Sequence, residues 1–369
     1  MATVTQTLDV DLDIAGDVQA SAMLGGTRIV VLTTDGDVVL YNIEAGSQRR
    51  LFRTSSGGVV YSDGGFDPSS PSSIYAMDDI FVLVNDVKTH GFVYNFAQNY
   101  LLHLTRGDYL VEHCKYPIAL FRGDDGDPYM IYGTDWNRVD IANLATRQVV
   151  TADKSLIEVD AEKRHIDFYK DFDEANKLLW PRGFDYFYGK LALSPSKTKF
   201  LSAGWYWGSY DAATVFDIAE FVSNHRVTSC HVYFLEHEGR SVCWVDDGTI
   251  AVPYNPAHEN ENDDEDQPSK TFEDVWQIRL YYADKRGEKA KEVVTLSEPV
   301  DLASAELVYQ IDEARFCAFS KTIGLVVIAR DGRVLLRDPS VTPTSYDEAR
   351  RVFLSQDGKR VRGFAVAAT

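Results

Sequence analysis

Short apolar runs recur along this chain, each followed by a turn and a second apolar run. Residues 27–33 and 38–43 are two such runs, rich in β-branched side chains and separated by the turn dipeptide Asp35-Gly36. The arrangement returns in the pairs 80–84 and 91–95, 129–132 and 138–141, 199–202 and 213–217, and 325–328 and 334–338. The pattern predicts antiparallel strand pairs over most of the chain.

The spacing of these pairs predicts the architecture. The second run of each pair contains or ends on Asn or Asp, and the intervals between these residues are 53, 45, 77 and 121, the last fitting two units: Asn42, Asn95, Asp140, Asp217 and Asp338. A period of about 40 to 50 residues with four short strands is typical of β-propeller blades. We therefore predict an all-β fold, a single-domain seven-bladed β-propeller over residues 1–369, with six or eight blades left open.

Closure of the ring and two insertions complete this prediction. Residues 4–10 alternate as an edge strand does, and we expect them to pair with residues 361–366 and so remove the open edges. Residues 152–187 form an insertion that is predicted to be partly helical, because apolar residues between 161 and 180 recur at spacings of three and four. A short helix is also expected at 218–224. Residues 255–271 are too polar to bury, which predicts an acidic mobile loop.

Composition and charge indicate which classes of partner and which compartment to expect. A net charge of −19 and a pI near 4.8 argue against a nucleic-acid partner, which needs clustered Lys and Arg. The acidic run 259–266 is either a solvated insertion or a means of steering a basic partner. No signal peptide or membrane span is expected. Four cysteines without zinc spacing are interpreted as buried apolar residues of a reducing compartment, and the protein is expected to be cytoplasmic.

Catalytic and metal-binding motifs are absent from the sequence. It has no nucleotide-binding loop, zinc-peptidase motif, nucleophile elbow or EF-hand loop. The spacing of Asp124, Asp125 and Asp127 suggests calcium ligands, but a hairpin turn rich in Asp and Gly is the stronger interpretation. We therefore predict no catalytic residue, metal or cofactor, while a metal site assembled from separate blades at the central channel stays open. The eight histidines are scattered: His90, His103, His113, His165, His225, His231, His237 and His258.

An aromatic and polar group from two neighbouring predicted blades is the candidate binding patch. Its members are Trp136, Asn137, Arg138, Tyr186, Trp205, Tyr206, Trp207 and Tyr210. Exposed Trp, Tyr and Arg side chains on one face of a propeller are typical anchors for a protein partner. In the alternative interpretation, Trp205 and Trp207 lie on one side of a strand and pack between blades. Arg138 would then be an ion-pair partner of Asp135 or Asp140.

Three segments carry a resemblance to a known family. Residues 39–46 look like the third strand and following turn of a WD-repeat blade, with Tyr41-Asn42 where Trp-Asp is typical. The Gly-His pair of that family is missing. Residues 133–141 and 201–207 resemble a group of bacterial propeller proteins without an established function. The resemblance implies a WD-repeat-like propeller of bacterial origin and, for function, little beyond scaffolding.

Together these observations predict a non-catalytic scaffold for protein–protein interaction. A monomeric, rigid ring would present variable loops to an unidentified protein partner. The rival hypothesis is an enzyme, or a propeller that binds a small ligand or metal in its central channel. In that case Asp135, Asn137, Arg138 and His165 are expected to converge there.

Overall fold

The fold consists of seven antiparallel sheets of four strands each, with two short helices. A computed structural model describes residues 2–54, 65–181, 183–207, 210–235, 239–257, 275–287 and 289–368. In every sheet the strands are neighbours in sequence, apart from one sheet that also takes the first strand of the chain. This architecture confirms the predicted seven-bladed β-propeller.

The first three blades follow directly on the N-terminal strand, β1 (Ala2–Asp11). Blade 1 contains β2 (Val18–Leu24), β3 (Arg28–Thr33), β4 (Asp37–Asn42) and β5 (Ser47–Arg53). Blade 2 contains β6 (Ser72–Met77), β7 (Ile80–Asn85), β8 (His90–Asn95) and β9 (Tyr100–Thr105). Blade 3 contains β10 (Ile118–Arg122), β11 (Pro128–Asp135), β12 (Arg138–Asn143) and β13 (Gln148–Val149).

The other four blades occupy the remainder of the chain. Blade 4 contains β14 (Phe187–Leu193), β15 (Lys199–Tyr206), β16 (Tyr210–Asp217) and β17 (Cys230–Leu235). Blade 5 contains β18 (Cys243–Asp246), β19 (Thr249–Tyr254), β20 (Gln277–Tyr282) and β21 (Glu292–Thr295). Blade 6 contains β22 (Glu306–Gln310), β23 (Arg315–Ser320), β24 (Gly324–Ala329) and β25 (Val334–Asp338). Blade 7 contains β26 (Ser345–Asp347), β27 (Val352–Asp357), β28 (Arg360–Ala368) and β1.

The two ends of the chain close the ring. Strand β1 pairs antiparallel with β28, with Val4 opposite Val366 and Val10 opposite Val361. The first strand of blade 1 in turn contacts β26 and β27 of blade 7. The predicted pairing of the termini is therefore confirmed, and it joins the last blade to the first.

The apolar core lies between the blades. Phe81 and Phe92 of blade 2 pack against Leu32 and Val38 of blade 1, and equivalent clusters separate the other neighbouring blades. Because both faces of a sheet are covered, the central strands have continuous apolar runs, such as residues 29–32, which are fully buried. At the predicted Asp35-Gly36 turn, Gly36 has a φ of 83°, a left-handed conformation that glycine adopts without strain.

Both helices fall where the sequence predicts them. Helix α1 (Ala161–Tyr169) and a 3-10 turn (Glu174–Asn176) lie in the insertion between blades 3 and 4, and Phe187, its predicted last residue, already belongs to β14. Helix α2 (Ile218–Ser223) follows the third strand of blade 4, where the carboxylate of Asp217 accepts a hydrogen bond of 2.9 Å from the Glu220 N–H. The predicted acidic loop lies outside the described residues from 258 onward.

The direction of the strands divides the loops between two faces. In an antiparallel meander, the turn between the second and third strands lies at the same end as the connection to the next blade. We call this end the upper face. It carries the connections between β9 and β10, β11 and β12, β13 and β14, and β15 and β16. The predicted patch comes from these upper connections and the strand ends beside them.

Candidate functional site

Five aromatic residues of the upper face form one continuous cluster, which we call the aromatic platform. They are Tyr109, Trp136, Phe187, Trp205 and Trp207, supplied by connections and strands of blades 2 to 4. Phe187 is central: its ring centroid lies 4.2 Å from that of Trp205, 4.5 Å from Trp136, 5.2 Å from Trp207 and 6.1 Å from Tyr109. Separate loops are thus held together by ring packing.

Exposure differs sharply within the platform. Phe187 and Trp205 are buried, with 1% and 6% of their surface exposed. Tyr109 and Trp207 keep 48% and 47%, and Trp136 is half-buried. The platform therefore has a buried base and an exposed upper surface whose rings are fixed from below.

The alternation of strand β15 separates two aromatic environments. Trp205 and Trp207 lie on one side with their ring centroids 5.5 Å apart, as residues two positions apart in a strand must. Tyr206 lies on the other side, with its hydroxyl 2.9 Å from Nε2 of His231. Burial lowers the pKa of His231 to about 4, so the imidazole is neutral at physiological pH. Tyr206 thus belongs to an internal network.

Tyr186 does not reach the surface, contrary to the prediction of an exposed binding residue. Its side chain is fully buried, and its hydroxyl lies 2.8 Å from the carbonyl oxygen of Ser202 and 3.1 Å from that of Ala212. Burial raises the pKa of this hydroxyl, which keeps it protonated as a donor. Tyr186 therefore supports blade 4 from inside.

Asn137 and Arg138 organise the loops of blade 3. The side-chain amide of Asn137 donates to the Phe184 carbonyl at 3.0 Å. Arg138 binds Asp140 with both branches of its guanidinium, at 2.9 and 3.0 Å, and also donates to the carbonyl of Ala152 at 3.2 Å. Of the two predicted carboxylates, Asp140 is the one that pairs with it. Both side chains hold the start of the insertion and the entry to blade 4.

Two further tyrosines are exposed in this region. Tyr210 begins β16 opposite Tyr206 and is 40% exposed. Tyr109 was missed by the sequence analysis because it is a single ring in a polar connection, without a repeat or spacing to mark it. Only the packing of blades 2, 3 and 4 shows that it belongs with the tryptophans.

A charged group spans the central channel beside the platform. We call it the channel ion group: Asp86, Lys115, Lys190 and Glu306. Lys190 pairs with Glu306, and Nζ of Lys115 lies 3.7 Å from carboxylate oxygens of both Glu306 and Asp86. Because these residues come from blades 2, 4 and 6 and the connection after blade 2, which are not all adjacent, the pairs cross the ring axis.

The positive and negative charges of the channel ion group compensate one another. Burial alone would raise the pKa of Glu306, but Lys190 and Lys115 outweigh it and lower the pKa to about 2. The hydroxyl of Ser241 donates a further hydrogen bond of 3.2 Å to the same carboxylate. Glu306 is therefore ionised at any physiological pH, with two ammonium groups and a hydroxyl around it.

A cavity of about 280 Å³ is lined by residues of both the platform and the channel ion group. Its lining includes Trp205 and His113 together with Lys115, Lys190 and Glu306. The residues predicted to converge in the channel do not do so: Arg138 binds Asp140, and Nε2 of His165 on α1 lies 2.7 Å from the Leu178 carbonyl. Where the structure describes the chain, no group of three His, Cys, Asp or Glu side chains is arranged to hold a metal ion.

Comparison with known proteins supports the fold alone. No family model matches the chain, and no curated protein matches its sequence. Among solved structures, it is similar to the WD40 domain of Neurospora crassa Pan2, with a TM-score of 0.55 and 9% sequence identity over 98% of this chain and 94% of that one. The structure is thus a WD40-like propeller, and the bacterial group stays a prediction. None of the described helices has the length and apolar composition to cross a membrane.

Proposed function

We propose that this protein is a non-catalytic scaffold that binds another protein through the aromatic platform. The observation that carries the proposal is the pairing of two exposed rings, Tyr109 and Trp207, with a buried base of Phe187 and Trp205. Exposed aromatic rings that are already fixed lose little conformational entropy when a partner covers them. Trp and Tyr are also the residues that most often dominate binding energy at protein interfaces.

The position of the platform supports the same role. It is built from loops on a rigid ring, which is where binding residues concentrate in many folds. WD40-like propellers often serve as binding scaffolds, and this analogy of fold raises the expectation without identifying the partner. We infer a monomeric protein whose upper face is the contact surface.

A pair of matched double variants tests this role. Tyr109→Ala with Trp207→Ala removes the exposed rings, while Leu179→Ala with Trp180→Ala removes two side chains of the insertion that are 88% and 80% exposed. In affinity capture from the source cells, we expect the first variant to lose the partner and the second to retain it. Tyr206 is unsuitable for this test because it also contacts His231 inside the fold.

Folding must be compared in the same samples. Both double variants should show the circular dichroism and melting behaviour of the parent, since all four side chains are exposed. Capture of the same partners by folded Tyr109→Ala/Trp207→Ala would contradict a role of the platform in binding.

The cavity beside the channel ion group favours a second candidate, a small ligand of the central channel. It is about 280 Å³ in volume, and the basic residues Lys115 and Lys190 line it together with Trp205. A native mass spectrum of protein purified from its source cells is the direct test. Added mass on the 41.4 kDa chain would support a ligand, and the bare mass alone would remove this candidate.

We also infer a cytoplasmic location from the cysteines. All four carry free thiols, and Cys114, Cys243 and Cys317 are buried. Burial raises the pKa of Cys243 and Cys317, which keeps these thiols protonated and unreactive. Reduced, structural cysteines are the usual condition of a reducing compartment. Fractionation of the source cells tests the inference directly.

A further inference from the structure

Three exposed carboxylates lie in the connections that supply the aromatic platform. Asp108 and Glu112 flank Tyr109 in the connection after β9, and Asp135 directly precedes Trp136; all three are exposed. The carboxylate of Asp135 lies against Gly107, where an added Cβ would collide with it, so the two loops adjoin. The two adjoining connections that carry Tyr109 and Trp136 therefore also carry three exposed acidic groups.

Among the described residues, these carboxylates form no ion pair with Lys or Arg. Over the residues that the structure describes, no Lys or Arg lies within 4.0 Å of Asp108, Glu112 or Asp135, and only His113 approaches, 3.8 Å from Glu112. Lys115, the nearest lysine in sequence, is engaged by Asp86 and Glu306. The nearest guanidinium in sequence, that of Arg106, is buried below this connection and donates to the carbonyls of Val111 and Cys114, so it makes no ion pair with the exposed carboxylates.

Some other exposed carboxylates of the chain are paired with arginine. Glu292 binds both terminal nitrogens of Arg330 at 2.6 Å, and Glu162 binds Arg226 in the same way. The chain as a whole carries a charge of −19, so its field attracts cations to a surface that is also locally negative.

We propose that the platform binds an arginine-containing segment of the partner, which rests on the function proposed above. A guanidinium group is planar and weakly hydrated, so it stacks on the faces of Trp207 and Tyr109 while the surrounding carboxylates neutralise its charge. Lysine provides the same charge without the planar contact. Arginine should therefore bind more tightly than lysine, and acidic segments should be excluded.

Three short peptides serve as the probes. Each is N-acetylated and C-amidated and alternates Gly with Arg, with Lys or with Glu, so that only the side chains differ. Binding to the purified full chain is measured by isothermal titration calorimetry at low salt and at about 0.3 M NaCl, where long-range attraction is largely screened. We expect the Arg peptide to bind most tightly, the Lys peptide several-fold more weakly, and the Glu peptide not at all.

Two comparisons of variants locate the contact. Asp108→Asn with Glu112→Gln is matched by Glu44→Gln with Asp124→Asn, which makes the same charge change in turns of the opposite face. Trp207→Leu keeps an apolar side chain but removes the ring. The first double variant and Trp207→Leu should each weaken binding of the Arg peptide about five- to tenfold, and the matched double variant should not.

The results separate this proposal from the scaffold function. Three results would each overturn the arginine proposal. They are an equal loss of Arg-peptide affinity in the two charge-changing double variants, unchanged affinity of Trp207→Leu for that peptide, and tighter binding of the Glu peptide than of the Arg peptide. If the Tyr109→Ala/Trp207→Ala variant still loses its cellular partner in that case, the scaffold function stands and the partner presents different chemistry. If that variant retains the partner, the scaffold function itself fails.

Discussion

The aromatic platform and the channel ion group both line one cavity, but they differ in whether their side chains find all their partners inside the molecule. In the channel ion group, Lys115, Lys190 and Glu306 compensate one another across the ring axis. In the platform, Phe187 and Trp205 are covered, but the rings above them face solvent. Groups that are satisfied inside the molecule stabilise it, whereas groups held rigid but left exposed are available to a partner. The comparison predicts that mutations in the channel ion group and in the buried base of the platform reduce stability, whereas mutations of the exposed rings reduce partner binding.

The largest effect on stability is expected at the base of the platform. Phe187→Ala removes a buried ring that contacts four other rings, and should lower the free energy of unfolding by about 3 to 5 kcal/mol. Phe187→Leu, which keeps most of the volume, should cost less than about 1.5 kcal/mol. Urea denaturation measures both. Equal costs for the two variants would mean that the ring is not tightly packed.

The next largest effect is expected in the channel ion group. Glu306→Gln leaves two ammonium groups without their shared carboxylate and should destabilise by about 2 to 3 kcal/mol, since the channel remains partly accessible to water. Glu292→Gln breaks the exposed pair with Arg330 and should cost below about 1 kcal/mol. Partner binding should survive both changes. Loss of partner binding in Glu306→Gln would show that binding at the aromatic platform depends on the channel ion group.

Low pH should remove the contribution of Glu306 to the free energy of unfolding. Its pKa is about 2 in the folded protein, below the ordinary value of 4.5, so the stabilisation is complete above pH 4.5 and is lost as the pH falls toward 2. The difference in unfolding free energy between the parent and Glu306→Gln should therefore be constant near neutrality and narrow below pH 4.5. A difference that is unchanged at pH 3 would show that the lysines do not hold this carboxylate.

The smallest effect on stability is expected on the upper surface of the platform. Tyr109→Ala and Trp207→Ala remove rings that are about half exposed, and each should cost below about 1 kcal/mol, since little buried contact is lost. Melting temperature is sufficient to compare them with Phe187→Ala. A loss of stability as large as that of Phe187→Ala would show that Tyr109 and Trp207 mainly support the fold.

The fold was more predictable from the sequence than the site because strands and turns are local. The Asp35-Gly36 turn, helix α2 and the pairing of the termini each follow from residues close together or from the need to close a ring. Which side of the blade Tyr186 packs on depends on the alternation at the entry to β14: Tyr186 and Tyr188 lie on one side and Phe187 on the other, and all three are buried. That parity is not visible before the strand is placed.

Convergence over long distances in sequence was the part that could not be predicted. Lys190 and Glu306 are 116 residues apart and meet only because blades 4 and 6 face a common axis. Tyr109 is a lone ring in a polar connection, and its place on the platform depends on the packing of three blades. Arg138 was predicted as a binding residue, with an ion pair to Asp135 or Asp140 as the alternative, and only the structure shows the pair with Asp140.

Oxidative footprinting of the tryptophans, with and without the captured partner, tests the central claim most directly. Trp207 on the platform and Trp180 on the insertion are 47% and 80% exposed, so both should be oxidised in the free protein and resolved by mass spectrometry. We predict that the partner protects Trp207 and leaves Trp180 reactive. Protection of Trp180 with Trp207 still reactive would place the contact on the insertion and contradict the role of the aromatic platform.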